Sequence, residues 1–173
     1  KKEFLWIIEH NHVYTAGSNA KRTDLLDIDT KIVKTNRGGK HTYHGPGQKV
    51  VYFVLNLNKR GKDIRKLLTK IENCIIEILK EYNIESYSDK NNIGIWVGDR
   101  KNSMKIAAIG IKVKKWIAYH GFALNITTDL SKYKAIVPCG IKNKGITSFE
   151  KIGIDNYNNI DKIIVKKFLN IFL

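Results

Sequence analysis

Residues 105–126 read KIAAIGIKVKKWIAYHGFALNI, and this stretch decides the fold class. Two runs rich in apolar residues, 105–113 and 116–126, flank Lys114-Lys115. Both have the length and composition of strands, and a turn that short pairs them antiparallel. Upstream, 93–97 reads as a further strand, and 50–57, dense in β-branched and aromatic residues, as a core strand. Residues 5–10 read as a buried strand, 14–20 as a loop, 31–34 as a short strand and 136–140 as a short strand or strand end.

Two segments are helical. Over 63–82, Ile64, Leu67, Leu68, Ile71, Cys74, Ile75, Ile78, Leu79 and Tyr82 fall on one stripe at helical spacing, with Asp63 placed to cap the start. Residues 160–172 form a closing helix with Ile160, Ile163, Ile164, Phe168 and Ile171 inward. The order is therefore strands, helix, strands, helix. It lacks the strict alternation of a doubly wound parallel sheet. The expected fold is α/β (α+β): a mixed, largely antiparallel sheet flanked by helices, in one domain over 1–173.

Composition narrows the class. Apolar residues make up 43% of the 173-residue chain and charged residues 27%, a globular balance. No run approaches the roughly 20 apolar residues of a membrane span, so no membrane role is expected. Two cysteines are too few for a disulfide framework or a cysteine zinc site and suit a reducing cytoplasm. The five histidines are too dispersed to suggest a metal. Lys and Arg total 31 against 16 acids, a formal charge of +15 that favours acidic partners. The lysines are scattered, so a solvated surface explains them as well as a binding stripe does. No nucleic-acid recognition motif accompanies the charge.

Three constellations carry chemistry. The first is 36–48, with four glycines and a proline in thirteen residues, irregular throughout and studded with Arg37, Lys40, His41, Tyr43 and His44. Such a loop can present backbone N–H groups to an oxyanion. It matches neither a P-loop nor a dinucleotide fingerprint. The second is the small-residue set Ala107, Ala108, Gly110, Gly121 and Ala123, which would leave a narrow apolar slot if it faced one side. The third is Val137-Pro138-Cys139-Gly140. Read locally, Cys139 serves equally as a buried thiol or a nucleophile. Cys74, on the helix stripe, reads as a core residue. Lys105 is locally one more strand-end lysine.

Taken in order, these segments resemble the lipoyl(octanoyl) transferase family. The resemblance runs through Ile8-Glu9-His10 with Val13-Tyr14-Thr15-Ala16-Gly17, then Arg37-Gly38-Gly39 with Thr42-Tyr43-His44-Gly45-Pro46-Gly47-Gln48. It continues through Gly94-Ile95-Trp96-Val97, Lys105 to Gly110, His120 to Asn125, and Pro138-Cys139-Gly140-Ile141 with Thr147-Ser148. The family has Pro where His12 stands, and a further segment before the first strand, so an N-terminal segment is expected to be missing. The resemblance implies a fold shared with lipoate and biotin protein ligases. It implies octanoyl transfer from acyl carrier protein to a lysine of lipoyl domains, those of 2-oxoacid dehydrogenase complexes and of the glycine cleavage H protein. It assigns Cys139 as nucleophile and Lys105 as the cation that lowers its pKa. It assigns acyl-substrate contacts to Arg37, Gly38, Gly39, Lys40, His41, Thr42, Tyr43 and His44, to Ala108, Ile109 and Gly110, and to Gly121, Phe122 and Ala123. No cofactor, metal or nucleotide is required, a monomer is expected, and the location implied is cytoplasmic. The alternatives are an ATP-dependent lipoate–protein ligase and a basic nucleic-acid-binding module.

Overall fold

The computed structural model describes residues 2–137 and 145–172. Cys139, with the rest of the expected strand end at 138–140, lies outside the described residues. The chain runs β1 Phe4–Ile8, β2 Val13–Ala16, β3 Ile32–Lys34, β4 His41–His44, β5 Gln48–Asn56, α1 Ile64–Lys80, β6 Ser86–Ser88, β7 Ile95–Val97, β8 Met104–Lys114, β9 Ile117–Asn125, β10 Gly145–Ile146 and α2 Ile160–Phe172. The main sheet has the order β1-β5-β9-β8-β7-β6. All neighbours on that path are antiparallel, and β10 adds a parallel pair to β8. A second sheet of three strands, β3-β2-β4, is separate. The mixed, largely antiparallel sheet with flanking helices is the one the sequence predicts.

The two helices take the expected stripes. Asp63 caps α1 by accepting from Lys66 N–H at 2.9 Å. Leu67, Ile71, Cys74, Ile75, Ile78 and Leu79 are buried against the sheet face carrying Val51, Phe53, Leu55 and Phe122. From α2, Ile160, Ile164 and Phe168 join the same core, with the Phe168 ring tilted against Phe53 at 5.6 Å between centroids. Burying one such side chain contributes about 1.5–3 kcal/mol.

Five local expectations are corrected. The first strand is an edge strand, not a buried one: it pairs only with β5 among the described residues, and Phe4 and Trp6 are 61% and 63% exposed on the face away from the helices. Residues 14–20 are not all loop, because Val13, Tyr14 and Thr15 suit a strand and pair with β4. The glycine-rich segment is not irregular throughout. Its glycines bracket β4, whose four residues are all buried. Among the described residues, Ile136 makes only an isolated bridge to Leu25, not a strand. The β8–β9 turn sits one residue later than predicted, at Lys115 and Trp116, both with positive φ (49° and 61°), the geometry of a two-residue hairpin turn.

The central strands meet closely. Gly110 pairs with Gly121 and Ala108 with Ala123. A Cβ on Gly121 would lie 1.8 Å from the Val51 carbonyl oxygen, a backbone atom that cannot swing away. Gly121→Ala should therefore destabilise the protein by about 3 kcal/mol. Urea denaturation measures this as a lower midpoint at unchanged slope, and a midpoint unchanged from wild type would show that the strands do not approach as described.

Candidate active site

A cavity of about 660 Å³, in the range of small-molecule sites, is floored by the sheet face opposite the helices and extends to the start of α1. Its floor follows from register. Val50 of β5, Ala123 of β9 and Ala108 of β8 lie in one row; Tyr52, Gly121 and Gly110 form the next. Glycine and alanine at the paired positions keep the floor free of bulk, while Ala107, expected among the slot residues, turns instead into the core beneath the helices. The three-stranded sheet contributes Val13, Thr15, Val33, Thr42 and His44, and the first turns of α1 contribute Ile64 and Leu68. None of the described lining residues is acidic.

Arg37 spans the space between floor and roof. Its guanidinium donates to Thr15 O at 2.9 Å, Thr15 Oγ1 at 2.8 Å and Gly38 O at 3.0 Å. Its stem passes over Gly110, where a Cβ would stand 3.2 Å from Arg37 Cδ. Gly38 N–H donates to Ile111 O at 3.0 Å, which fixes the glycine loop to β8 and removes that N–H from any oxyanion role.

Lys105 opens β8 and is 5% exposed. Its Nζ donates to Ile93 O at 2.9 Å and sits 4.7 Å from the ring centroid of its cross-strand partner Trp96. It makes no ion pair among the described residues. Gly94 (φ 132°) makes this possible, since a Cβ there would meet Ala107 O at 2.7 Å and Lys105 Cε at 3.0 Å. A small recess beside the cavity is lined by Lys105 with Thr42, Gln48, Asn125, Tyr133 and Ile146.

Lys105, Arg37, Gly38, Gly39, Lys40, His41, Thr42, His44, Ala108, Ile109, Gly110, Gly121, Phe122 and Ala123 all line the cavity. Tyr43 does not. Its ring packs on Tyr14 and Tyr133 instead, and its hydroxyl meets His12 at 2.5 Å. Lys40 is tied to Asp24 at 3.2 Å. Sequence reasoning missed His10, Tyr52 and His120 as lining residues. His10 Nε2 and Tyr52 Oη lie 2.7 Å apart. Parity would put His120 beside Phe53 on the helix face. Its φ of 67° departs from strand geometry, and the ring instead reaches Asn36 Oδ1 at 2.7 Å. The period of Val50 and Tyr52 could have found Tyr52, but nothing local signals the twist at His120.

Burial holds the His44 imidazole down at about 4, aided by Arg37 and His10 and opposed by its hydrogen bond to Gln48. In the unfolded chain it protonates near 6.5. Because the folded pKa is depressed, its contribution to stability is whole above pH 6.5. It is lost as the pH falls toward 4, on the order of 3 kcal/mol. Urea midpoints at pH 7 and pH 4.5 should differ less for His44→Gln than for wild type. An equal drop in both proteins would refute a buried neutral His44.

Residues 1–169 match the family model of the lipoyl protein ligase A/B catalytic domain. The octanoyltransferase of Ehrlichia chaffeensis is 47% identical over 99% of this chain and 82% of its own length. That of Wolbachia pipientis wMel is 45% identical over 98% of this chain and 84% of its own. Solved structures share the fold at low identity. The bipartite lipoate protein ligase of Thermoplasma acidophilum matches with TM-score 0.76 at 12% identity, covering 99% of this chain and 71% of that one. Biotin protein ligase from Aquifex aeolicus, in complex with biotin and ATP, matches with TM-score 0.58 at 16% identity, covering 92% and 68%. With a family model spanning nearly all of it and octanoyltransferases as near relatives, this chain belongs to the lipoyl protein ligase A/B catalytic-domain family.

Proposed function

We propose that this protein is an octanoyltransferase that moves an octanoyl group from the thioester of an acyl carrier protein to a lysine of lipoyl domains, by way of a Cys139 thioester. The observation that carries the reading is the Lys105 ammonium, buried beside a cavity with a side-chain-poor floor and held by a carbonyl and a ring rather than by an acid. A thiolate placed beside such a cation is stabilised, about 1.4 kcal/mol for each unit its pKa falls. Support for Cys139 as that thiol comes from its flanks. Two residues before it, Val137 N–H donates to Asp24 O at 2.8 Å. Beyond it, Ile146 pairs with Lys105 itself. The other cysteine is a poor rival: Cys74 is 0% exposed, and burial pushes its thiol up to about 12.

The chemistry needs two transfers. Cys139 thiolate attacks the octanoyl carbonyl, the carrier's C–S bond breaks, and the carrier thiolate takes a proton from Lys105. The target amine then attacks the Cys139 thioester and gives a proton back to Lys105, and the thiolate–ammonium pair is restored. The thioester is already activated, so no nucleotide enters. Burying the seven apolar carbons of the tail contributes on the order of 5 kcal/mol, and the length of the slot sets the chain-length preference. The +15 charge suits an acidic carrier and acidic lipoyl domains, including those of 2-oxoacid dehydrogenase complexes and the glycine cleavage H protein.

Intact mass after incubation with octanoyl-carrier, without ATP, should show one octanoyl adduct that hydroxylamine removes. Cys139→Ala should abolish it, and Lys105→Met should slow its formation at least about 100-fold. An adduct on Cys74, or strict dependence on ATP, would overturn the assignment, the latter in favour of a ligase.

A further inference from the structure

The cavity is lined by residues from both faces of β8. Ala108 and Gly110 belong to its floor, whereas Ile109 and Ile111 have the opposite parity and pack toward the core under the helices. A space that touches both sets passes round the edge of β8. That edge is bare because β7 is short. Strand β7 leaves β8 at Ala107, paired with Ile95, and the glycine loop rejoins it at Ile111, whose carbonyl accepts from Gly38 N–H at 3.0 Å. Backbone groups along a strand turn to the same edge at every second residue. Ile109 therefore lies between those two ties with its N–H and carbonyl turned outward, and neither has a partner among the described residues. This side channel adjoins Lys105, whose Nζ donates to Ile93 O at 2.9 Å. Its walls are aliphatic: Ile64, Leu68 and Ile93 beside Ile109 and Ile111. Ile64 and Ile93 are 46% and 50% exposed and stand at its mouth. Next to Ile64, Lys62, Arg65 and Lys66 are exposed and make no ion pair among the described residues. Asp63, the one acid among them, is engaged in capping α1.

We infer that this side channel binds the pantetheine arm of the octanoyl donor, with the bare edge at Ile109 pairing one of its amides. This rests on the octanoyl-transfer reading and gives the donor's thiol arm a place. Beyond its sulfur the arm carries two amides in line, then a dimethyl-substituted carbon and a phosphodiester to the carrier. An amide N–H can meet the Ile109 carbonyl and an amide oxygen the Ile109 N–H, as an added strand does. The dimethyl carbon suits the aliphatic walls at Ile64, Leu68 and Ile93. The phosphate and an acidic carrier suit Lys62, Arg65 and Lys66. An octanoyl tail over the glycine and alanine floor leaves much of the 660 Å³ unfilled, and the arm takes the remainder. The lysine side chain, which must also enter, offers four methylenes and no amide near its nitrogen. It would leave Ile109 unpaired, so the edge favours the arm.

Acylation is followed by intact mass with three donors: octanoyl-N-acetylcysteamine, which ends after one amide, octanoyl-pantetheine and octanoyl-carrier. In wild type, kcat/KM should be at least about tenfold higher with octanoyl-pantetheine than with octanoyl-N-acetylcysteamine. Of two octanoyl-pantetheine analogues, each with one amide N–H replaced by an ester oxygen, one should lose about tenfold. Ile64→Ser combined with Ile93→Ser should bring the ratio of the two small donors toward one. Lys62→Glu combined with Arg65→Glu should slow octanoyl-carrier relative to octanoyl-pantetheine, which has no phosphate, by about tenfold at low salt. All four side chains are exposed, and urea midpoints check that each variant keeps its fold. Equal kcat/KM for the two small donors overturns the inference and leaves octanoyl transfer standing. So does a serine variant that slows transfer from preformed octanoyl-enzyme to a lipoyl domain but not acylation, which would assign the channel to the lysine. Wild type acylated by none of the three donors overturns the transfer reading and this inference together.

Discussion

Everything in the site depends on how closely β5, β9 and β8 can pass one another. Gly121 lies so near the Val51 carbonyl that no side chain fits, and Gly110 lies directly across from it. With Ala108 facing Ala123, this removes bulk from one face of the sheet over two successive rows. The opposite face carries Phe122, Phe53 and the helices. One sheet therefore serves as core wall on one side and binding floor on the other. Glycine inside a strand costs about 0.5–1 kcal/mol in lost freedom. The large core beneath α1 and α2 offsets that cost.

The bare floor is also what lets Arg37 and Lys105 lie where they do. The Arg37 stem crosses Gly110, and Lys105 bends past Gly94. Taking an ammonium out of water costs several kcal/mol. The Ile93 carbonyl and the Trp96 ring return part of it without neutralising the charge. An acid in their place would have held Lys105 more tightly and cancelled its field. Neutral partners leave that field available to an anion formed beside it.

The regular parts of this architecture were legible in the sequence because periodicity reports them. The α1 stripe and the β8–β9 hairpin each span enough residues for one pattern to dominate. The family blocks fall on the cavity wall, Tyr43 excepted, because contacts with Tyr14 and Tyr133 that a contiguous motif does not show hold its ring elsewhere. What escaped was set by tertiary contact. The strand β4 hides among glycines, since its burial comes from packing against β2 and Tyr133 rather than from local composition. The edge position of β1 depends on which strands flank it. His120 reaches the cavity by one positive φ that a His-Gly pair does not advertise.

The same tertiary burial that hides β4 shapes the chemistry of His44. The proposed acyl-enzyme must favour the amine over water, which is far more abundant. A histidine of ordinary basicity at that position would activate water. Held at about 4 by burial and by the Arg37 charge, His44 is too weak a base to draw a proton from water. An amine is already a strong nucleophile once it has lost its ammonium proton, whereas water needs a base. In the proposed transfer that base is Lys105, left neutral by the first half. Burial of His44 keeps a second base out of the cavity.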